Sequence, residues 1–172
     1  MRKGFLLKAL LVLLPFVVTL SVSAEKKTDK DEEEEMLISG VGFDPDAQTP
    51  VVLLLNKERK KSLPIWVGLC EARSIELGLS GEIAPRPLTY DLIAAIVRTM
   101  KAKVERIVIV DLRDQVFYAQ VELSINGVVS KIDARPSDAI ALASRMNAPI
   151  YAKKSVLDKA TVDHSGEEKR GT

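Results

Sequence analysis

Acidic residues and arginines recur near the predicted beginnings of helices, where their chemistry suits a phosphate-containing substrate. Asp133, Arg135 and Asp138 lie at a corner where a β-branched strand leads into a helix, and Arg86 and Asp91 repeat an Arg-Pro step followed by an aspartate. Carboxylate oxygens bind hard divalent cations, and a guanidinium group binds phosphate through two parallel hydrogen bonds. Metal-assisted phosphodiester cleavage needs both. The candidate catalytic residues are Glu71, Arg86, Asp91, Arg135 and Asp138, and the candidate ligands for Mg²⁺ or Mn²⁺ are Asp91, Asp133 and Asp138.

The corner around Arg135 also has a purely structural explanation. Ser137 and Asp138 can accept hydrogen bonds from N–H groups of the first helical turn, which have no partner within the helix. Arg135 can pair with Asp133 or Asp138 as a clamp between strand and helix, since ion-pair networks also cluster charges. Taken alone, these residues leave binding or assembly as the default function.

Several other mechanisms lack the residues that they need. The sequence contains no glycine-rich phosphate loop, no Gly-x-Ser-x-Gly turn and no cysteine and histidine cluster with zinc-binding spacing. The only histidine, His164, lies in the polar C-terminal stretch, so a histidine-centred acid–base mechanism is poorly supported. The chemistry that remains is that of carboxylates and arginines.

The N-terminal sequence predicts export. Arg2 and Lys3 precede an apolar run over residues 9–20, which is shorter than the ~20 residues of a membrane-spanning helix. Residues 1–24 are therefore expected to be a cleaved signal peptide, leaving a periplasmic or extracellular chain without a stable membrane span. That chain would have 22 basic and 24 acidic residues, a formal net charge of −2. Any phosphate-binding surface must then be a local patch.

The rest of the chain is expected to form one domain between two polar segments. Residues 25–35 are almost entirely polar and predict a solvated linker, and residues 161–172 predict a disordered polar tail. Residues 36–160 are long enough to bury a hydrophobic core. Cys70 is the only cysteine, so no intramolecular disulfide can form. Cys70 is expected to pack as a small apolar residue or to bridge two chains.

Hydrophobic periodicity predicts an α+β fold, in which a single compact domain combines a mixed, mostly antiparallel sheet with three to four helices. Asn126-Gly127 predicts a type I′ hairpin, and Pro64 predicts a sheet edge or a bulge because it lacks a ladder donor. The strands are predicted over about residues 36–43, 51–55, 63–67, 104–110, 117–123, 128–133 and 149–152.

Helices are predicted over about residues 69–79, after Thr89, after Pro136 and over residues 155–160. Thr89 is expected to cap the second helix, whose Ile93, Ile96, Val97 and Met100 form an apolar stripe. Pro136 suits the first position of the third helix, where its missing N–H would have had no intrahelical partner.

Four segments occur together along this chain: Leu63–Gly68 followed by Glu71 and Ala72, Arg86–Leu92, Asp133–Ile140, and Ala148–Ile150. In this combination they resemble the bifunctional nuclease domain family, formerly a family of unknown function. The resemblance extends over about residues 36–159.

The resemblance implies a compact α+β fold, a nuclease that acts on both DNA and RNA, and self-association into a homo-oligomer. Members of the family often have histidine where this chain has Tyr90, which removes a candidate proton-transfer group. The alternative, from another functional class, is an exported non-catalytic binding or assembly module that retains the family fold.

Overall fold

In the part of the chain that the structure describes, one mixed sheet is the framework and four helices pack with it. The computed structural model describes residues 32–160 and 162–163. The strands are β1 (Glu33–Asp44), β2 (Thr49–Asn56), β3 (Lys61–Trp66), β4 (Lys103–Arg113), β5 (Val116–Ile125), β6 (Val128–Ala134), β7 (Ile150–Lys153) and β8 (Val162–Asp163). The helices are α1 (Leu69–Ser80), α2 (Thr89–Thr99), α3 (Pro136–Met146) and α4 (Lys154–Ala160). This is the predicted α+β fold in a single domain.

The strand order is β6-β5-β4-β7-β1-β2-β3-β8, and among these eight described strands only the β4–β7 pair is parallel. The predicted mixed, mostly antiparallel sheet is therefore confirmed. Helix α3 contacts both β3 and β5, which are far apart in this order, so the sheet must curl around α3. The curvature brings the end of β3, the β4–β5 turn and the start of α3 together at one end of the molecule.

Helix α3 is the centre of the helical layer. Seven of its residues are buried, and five of these are consecutive aliphatic residues: Ala139, Ile140, Ala141, Leu142 and Ala143. Helix α1 packs on α3 at Gly78, where an added Cβ would lie 2.8 Å from the Cβ of Ser144. Such a distance is too short for two carbon atoms, so only glycine permits this approach.

Two turn and edge predictions are confirmed. Asn126 and Gly127 have φ of 51° and 82°, as a type I′ hairpin requires, and they join β5 to β6. Pro64 pairs with Leu53 of β2, whereas β8 reaches only Lys61 and Ser62 on the other side of β3. Pro64 thus lies where one side of β3 is a sheet edge, so its missing N–H removes no hydrogen bond between strands.

The predicted linker was placed three residues too far along the chain. Residues 33–35 belong to β1 and pair antiparallel with β7. Their carboxylates are neutralised by cations of neighbouring strands and turns, because Glu33 pairs with Arg106, Glu34 with Lys61 and Glu35 with Lys57. The sequence predicts that these acidic residues are solvated, because their cationic partners come from distant parts of the chain and cannot be identified locally.

The structure describes little of the two polar ends of the chain. Val162 and Asp163 extend the sheet beside β3, although the tail was predicted to be disordered from residue 161. The predicted signal peptide, the first part of the linker and His164 lie outside the described residues. Among the described helices, none is long and apolar enough to cross a membrane.

Helix α2 and Cys70 differ from the sequence predictions. The residues of α2 that face the core are Tyr90, Ala94 and Val97, whereas most of the predicted apolar stripe lies on the exposed side: Ile93, Ile96 and Met100. Thr89 is the first helical residue, and the cap position is occupied by Leu88. The Asp91 carboxylate accepts a hydrogen bond from the Leu88 N–H. Cys70 is exposed on α1, so its expected packing as a small apolar residue was wrong, and the alternative, a bridge between two chains, stays a prediction.

Candidate functional site

Three of the candidate residues come together around the Arg135 guanidinium group. Its Nε donates a hydrogen bond to Asp138 Oδ2 at 2.7 Å, and its Nη2 donates to Asp138 Oδ1 at 2.8 Å. The same Nη2 donates to Glu71 Oε1 at 3.0 Å. Arg135 therefore bridges two carboxylates that are far apart in sequence, one on α1 and one on α3. We call these residues, with Tyr90, the Arg135 cluster.

The local sequence fixes Arg135 in front of α3. A residue before proline avoids the helical region of backbone space, and Arg135 accordingly has an extended backbone with φ of −69° and ψ of 144°. Pro136 then starts the helix, so Asp138 falls in the first turn, three residues after Arg135. This spacing lets the guanidinium group extend along the first turn to the Asp138 carboxylate. The corner was predicted from sequence.

Glu71 is held beside Arg135 by the glycine that precedes α1. The Glu71 side chain folds back over Gly68, and an added Cβ on Gly68 would lie 3.3 Å from Glu71 Cδ and closer still to its carboxylate oxygen. A side chain at position 68 would thus push the carboxylate aside. The Glu71 side chain is mostly buried, with 18% of it exposed, so its position is well defined by this packing.

Tyr90 completes the cluster from α2. Its hydroxyl group donates a hydrogen bond to Asp138 Oδ1 at 2.5 Å, and its ring is buried. Burial, together with the hydrogen bond and the negative charge of Asp138, raises the pKa of Tyr90 far above its ordinary value. Tyr90 is therefore a neutral donor at physiological pH. This contact could not be predicted from local sequence, because residues 90 and 138 approach each other only through the packing of α2 on α3.

The protonation states favour a fixed ion pair. Partial burial opposes the charge on Asp138, but the hydrogen bonds from Arg135 and Tyr90 outweigh it and lower the pKa of Asp138. The hydrogen bonds from Arg135 to Asp138 and Glu71 raise the pKa of Arg135 further above its already high ordinary value. At neutral pH the Asp138 carboxylate is ionised and Arg135 is charged. Asp138 thus positions Arg135 and is not itself a proton donor at neutral pH.

The other candidate residues lie elsewhere. Asp91 accepts hydrogen bonds from the Leu88 N–H at 2.8 Å and from Arg145 Nε at 2.5 Å, and both contacts lower its pKa. Arg86 is exposed in the loop before α2, and Asp133 is exposed on β6. Arg86 and Asp91 therefore do not reproduce the Arg135–Asp138 pair, although both motifs contain an Arg-Pro step and a following aspartate.

The carboxylates proposed as cation ligands do not form one group. Within residues 32–160 and 162–163, no set of three or more histidine, cysteine, aspartate or glutamate residues is arranged to hold a metal ion. Asp91 is bound to Arg145, and Asp138 is bound to Arg135 and Tyr90. Among the candidate carboxylates, Glu71 and Asp138 are the two that bind the same group, the Arg135 guanidinium. The predicted triad of Asp91, Asp133 and Asp138 therefore does not fit a shared cation in this arrangement.

A cleft of about 800 Å³ opens beside the Arg135 cluster. The end of β3, the start of β5, the beginning of α3 and the end of α4 form its walls. Its lining includes two aromatic side chains, two cations and a hydroxyl group: Trp66, Phe117, Arg135, Lys159 and Ser137. This volume lies within the range of sites that bind small molecules or single nucleotides. The aromatic residues and Lys159 were not among the predicted site residues.

Comparison with known proteins agrees with the sequence resemblance. The profile of the bifunctional nuclease domain matches residues 52–165. The uncharacterized proteins MT1877 and Rv1829, from two strains of Mycobacterium tuberculosis, are each 37% identical to this chain over 137 residues. The matched region is 78% of this chain and 82% of each relative. The chain belongs to the bifunctional nuclease domain family.

Proposed function

We propose that this protein is a nuclease that hydrolyses phosphodiester bonds in DNA and RNA, with its working site at the Arg135 cluster. The observation that carries the proposal is the position of the Arg135 guanidinium group, which is fixed by two carboxylates and lies on the wall of the 800 Å³ cleft. A fixed cation at the edge of a cleft is a suitable receptor for a substrate phosphate. Membership of the family supports the same activity.

In this proposal Arg135 binds the phosphate and the acids hold Arg135 in place. The contacts with Glu71 and Asp138 use Nε and Nη2, so the Nη1 donors take no part in them. The Arg135 side chain is 67% exposed, which leaves those donors accessible to a ligand. A guanidinium group whose orientation is fixed in advance stabilises the charge that develops on phosphate oxygens during hydrolysis.

Dependence on Mg²⁺ or Mn²⁺ stays a prediction from the sequence. Glu71 and Asp138 are the carboxylates closest to the proposed phosphate position, but both are bound to Arg135. No step of the proposal is therefore assigned to a cation. A cleavage assay with each ion and with EDTA measures the dependence directly.

The proposal is tested by cleavage of labelled single-stranded and duplex DNA and RNA. Purified protein should convert at least one of these substrates to shorter products. Arg135→Lys keeps the charge but loses the planar guanidinium group that binds a phosphate through two hydrogen bonds. It should lower cleavage by about tenfold or more while the fold persists. Arg73→Lys is a matched control, because Arg73 is an exposed arginine on α1 that pairs with Glu76 and does not line the cleft. Equal cleavage by both variants would place the working site elsewhere.

The second candidate function is the non-catalytic assembly module, and a feature of α2 favours it. Four apolar side chains on one side of this helix are exposed by 36–56%: Leu92, Ile93, Ile96 and Met100. A continuous exposed apolar face is typical of a surface that binds another protein. Self-association is therefore a proposal with a defined surface. Light scattering should detect a homo-oligomer that Ile96→Glu dissociates, whereas a monomer at high micromolar concentration would count against it.

Export stays part of the proposal. Mass spectrometry of the protein from its native source should find Glu25 as the first residue, as the pattern of residues 1–24 predicts. An intact Met1 in the soluble cytoplasmic fraction would contradict export.

A further inference from the structure

The cleft beside Arg135 combines features that suit an unpaired nucleotide. Trp66 is 49% exposed, and its Nε1–H donates a hydrogen bond to Asp44 Oδ2 at 2.8 Å. This bond fixes the edge of the indole ring and leaves part of the ring surface accessible. Phe117, on β5, supplies a second aromatic wall of the same cleft. An aromatic ring held by one edge is a suitable stacking platform for a nucleobase.

The cations of the cleft complement these rings. Arg135 lines one wall, and Lys159, at the end of α4, lines another. The Lys159 ammonium group donates to the Leu112 carbonyl oxygen at 3.2 Å and pairs with Asp111 Oδ1 at 3.4 Å, and 52% of its side chain remains exposed. The cleft thus offers both charge for phosphates and apolar surface for a base. Sequence-tolerant sites for single-stranded nucleic acids have this same combination.

We infer that the substrate class of this site is single-stranded nucleic acid, with one base stacked in the cleft against Trp66 and Phe117 and its phosphate at Arg135. The inference rests on the proposed nuclease function and deepens it. In a duplex both faces of each base are covered by neighbouring base pairs, so a base must leave the stack before it can enter a cleft. An unpaired base enters without that cost. Single strands should therefore bind more tightly than duplexes of equal length.

The chain contains its own reporter for this site. Trp66 is the only tryptophan among the 172 residues. Trp66 lines the cleft and also a neighbouring pocket that contains Asp44, so its fluorescence reports on both surfaces, and a variant of the cleft alone, such as Phe117→Leu, separates them. Stacking of a nucleobase on the indole ring should quench the fluorescence. Oligonucleotides with phosphorothioate linkages can be used as probes, because they resist hydrolysis during the titration.

The test is a fluorescence titration of the purified protein with three probes. They are a single-stranded oligodeoxythymidine, a duplex of equal length and an abasic strand with the same number of phosphates. We expect quenching by the single strand, with binding at least about fivefold tighter than for the duplex or the abasic strand. Equal affinity for the three probes, or binding without quenching, would overturn the inference.

Two variants on β5 sharpen the test. Phe117→Leu removes an aromatic wall of the cleft and should weaken single-strand binding by about fivefold or more. Tyr118→Leu removes the next aromatic ring along the strand, which points to the opposite face and does not line the cleft, so it should bind like wild type. If Phe117→Leu fails to fold, Trp66→Leu with a fluorescently labelled strand gives the same comparison by anisotropy. Wild-type affinity in the folded cleft variant would contradict the stacked base.

The outcomes also separate this inference from the proposed function. Quenching by single strands in a protein that cleaves no substrate would retain the nucleotide site and refute the nuclease. Cleavage of single strands and duplexes at equal rates, without quenching, would retain the nuclease and refute the single-strand site.

Discussion

The two ends of α3 each carry an arginine bound to an aspartate, and the two arginines differ in exposure. The Arg135 side chain, before the first turn, is 67% exposed, whereas Arg145, in the last turn, is 10% exposed. Arg145 uses Nε for Asp91, Nη1 for the Ser74 carbonyl oxygen and Nη2 for the Ser74 hydroxyl group. All of its nitrogens are engaged within the fold, while Nη1 of Arg135 remains outside its ion pairs. One arginine ties three helices together, and the other is available to a ligand.

Adjacent residues on α2 connect these two ends. Tyr90 contacts Asp138 in the first turn of α3, and Asp91 contacts Arg145 in the last. The sequence motif around Arg86 and Asp91 resembles the one around Arg135 and Asp138, yet Asp91 is bound by Arg145. Similar residues at similar helix positions thus have different partners, and the packing of the helices determines which partner each aspartate binds.

The largest expected effect is on stability at the buried end. Arg145→Met keeps much of the side-chain volume but removes the hydrogen bonds that Arg145 donates to Asp91 and to the carbonyl and hydroxyl oxygens of Ser74, so Asp91 keeps only the Leu88 N–H among these donors. We expect the free energy of unfolding to fall by about 3 kcal/mol, as for other half-buried ion pairs that lose one partner. Arg135→Met, the matched variant at the exposed end, should cost less than about 1 kcal/mol. Urea denaturation measures both, and equal losses would remove the distinction between the two ends.

A somewhat smaller loss is expected where α1 approaches Arg145. Gly78→Ala places a Cβ 2.8 Å from the Cβ of Ser144 and against the Arg145 guanidinium group. Separating the two helices should lower the free energy of unfolding by about 1 to 3 kcal/mol. Gly40→Ala is the control, because an added Cβ at Gly40 has no neighbour within 4 Å. A thermal denaturation midpoint unchanged by Gly78→Ala would show that the helices do not depend on this close approach.

The fold could be predicted further than the site, for a physical reason. The strands, the hairpin at Asn126-Gly127 and the start of α3 at Pro136 follow from local periodicity and backbone preference, which neighbouring residues encode. The Glu71–Arg135 contact spans 64 residues, and Tyr90–Asp138 spans 48. Such contacts depend on how α1 and α2 pack on α3. Local sequence therefore identified the Arg135 corner but could not choose its partners.

Two features of the structure were not predicted because they also depend on tertiary packing. The apolar stripe of α2 was predicted without a statement of which side faces the core, and three of its four residues, Ile93, Ile96 and Met100, are exposed. Periodicity identifies one side of a helix as apolar but does not say whether that side faces the core or the surface. The cleft was also not predicted, because Trp66 and Phe117 come from strands that meet only where the sheet curls.

The smallest expected effect is the pH dependence of the exposed end. The pKa of Asp138 is lower in the folded chain than its ordinary value of 3.8, so its charge stabilises the fold above that pH. This contribution is lost as the pH falls through the lowered pKa. Asp138→Asn should therefore cost well under ~1 kcal/mol at pH 7, and the difference from wild type should shrink below about pH 3.8. Urea denaturation at pH 7 and pH 3 checks the sign, and a difference that grows at low pH would contradict it.

The central claim is that Arg135 is available for a ligand while Arg145 is structural. The most direct measurement is single-strand cleavage by Arg135→Lys, in protein whose free energy of unfolding is measured in the same preparation. We expect stability within about 1 kcal/mol of wild type and cleavage reduced by about tenfold or more. Wild-type cleavage by this variant would contradict the claim, as would a loss of activity that merely follows a loss of stability.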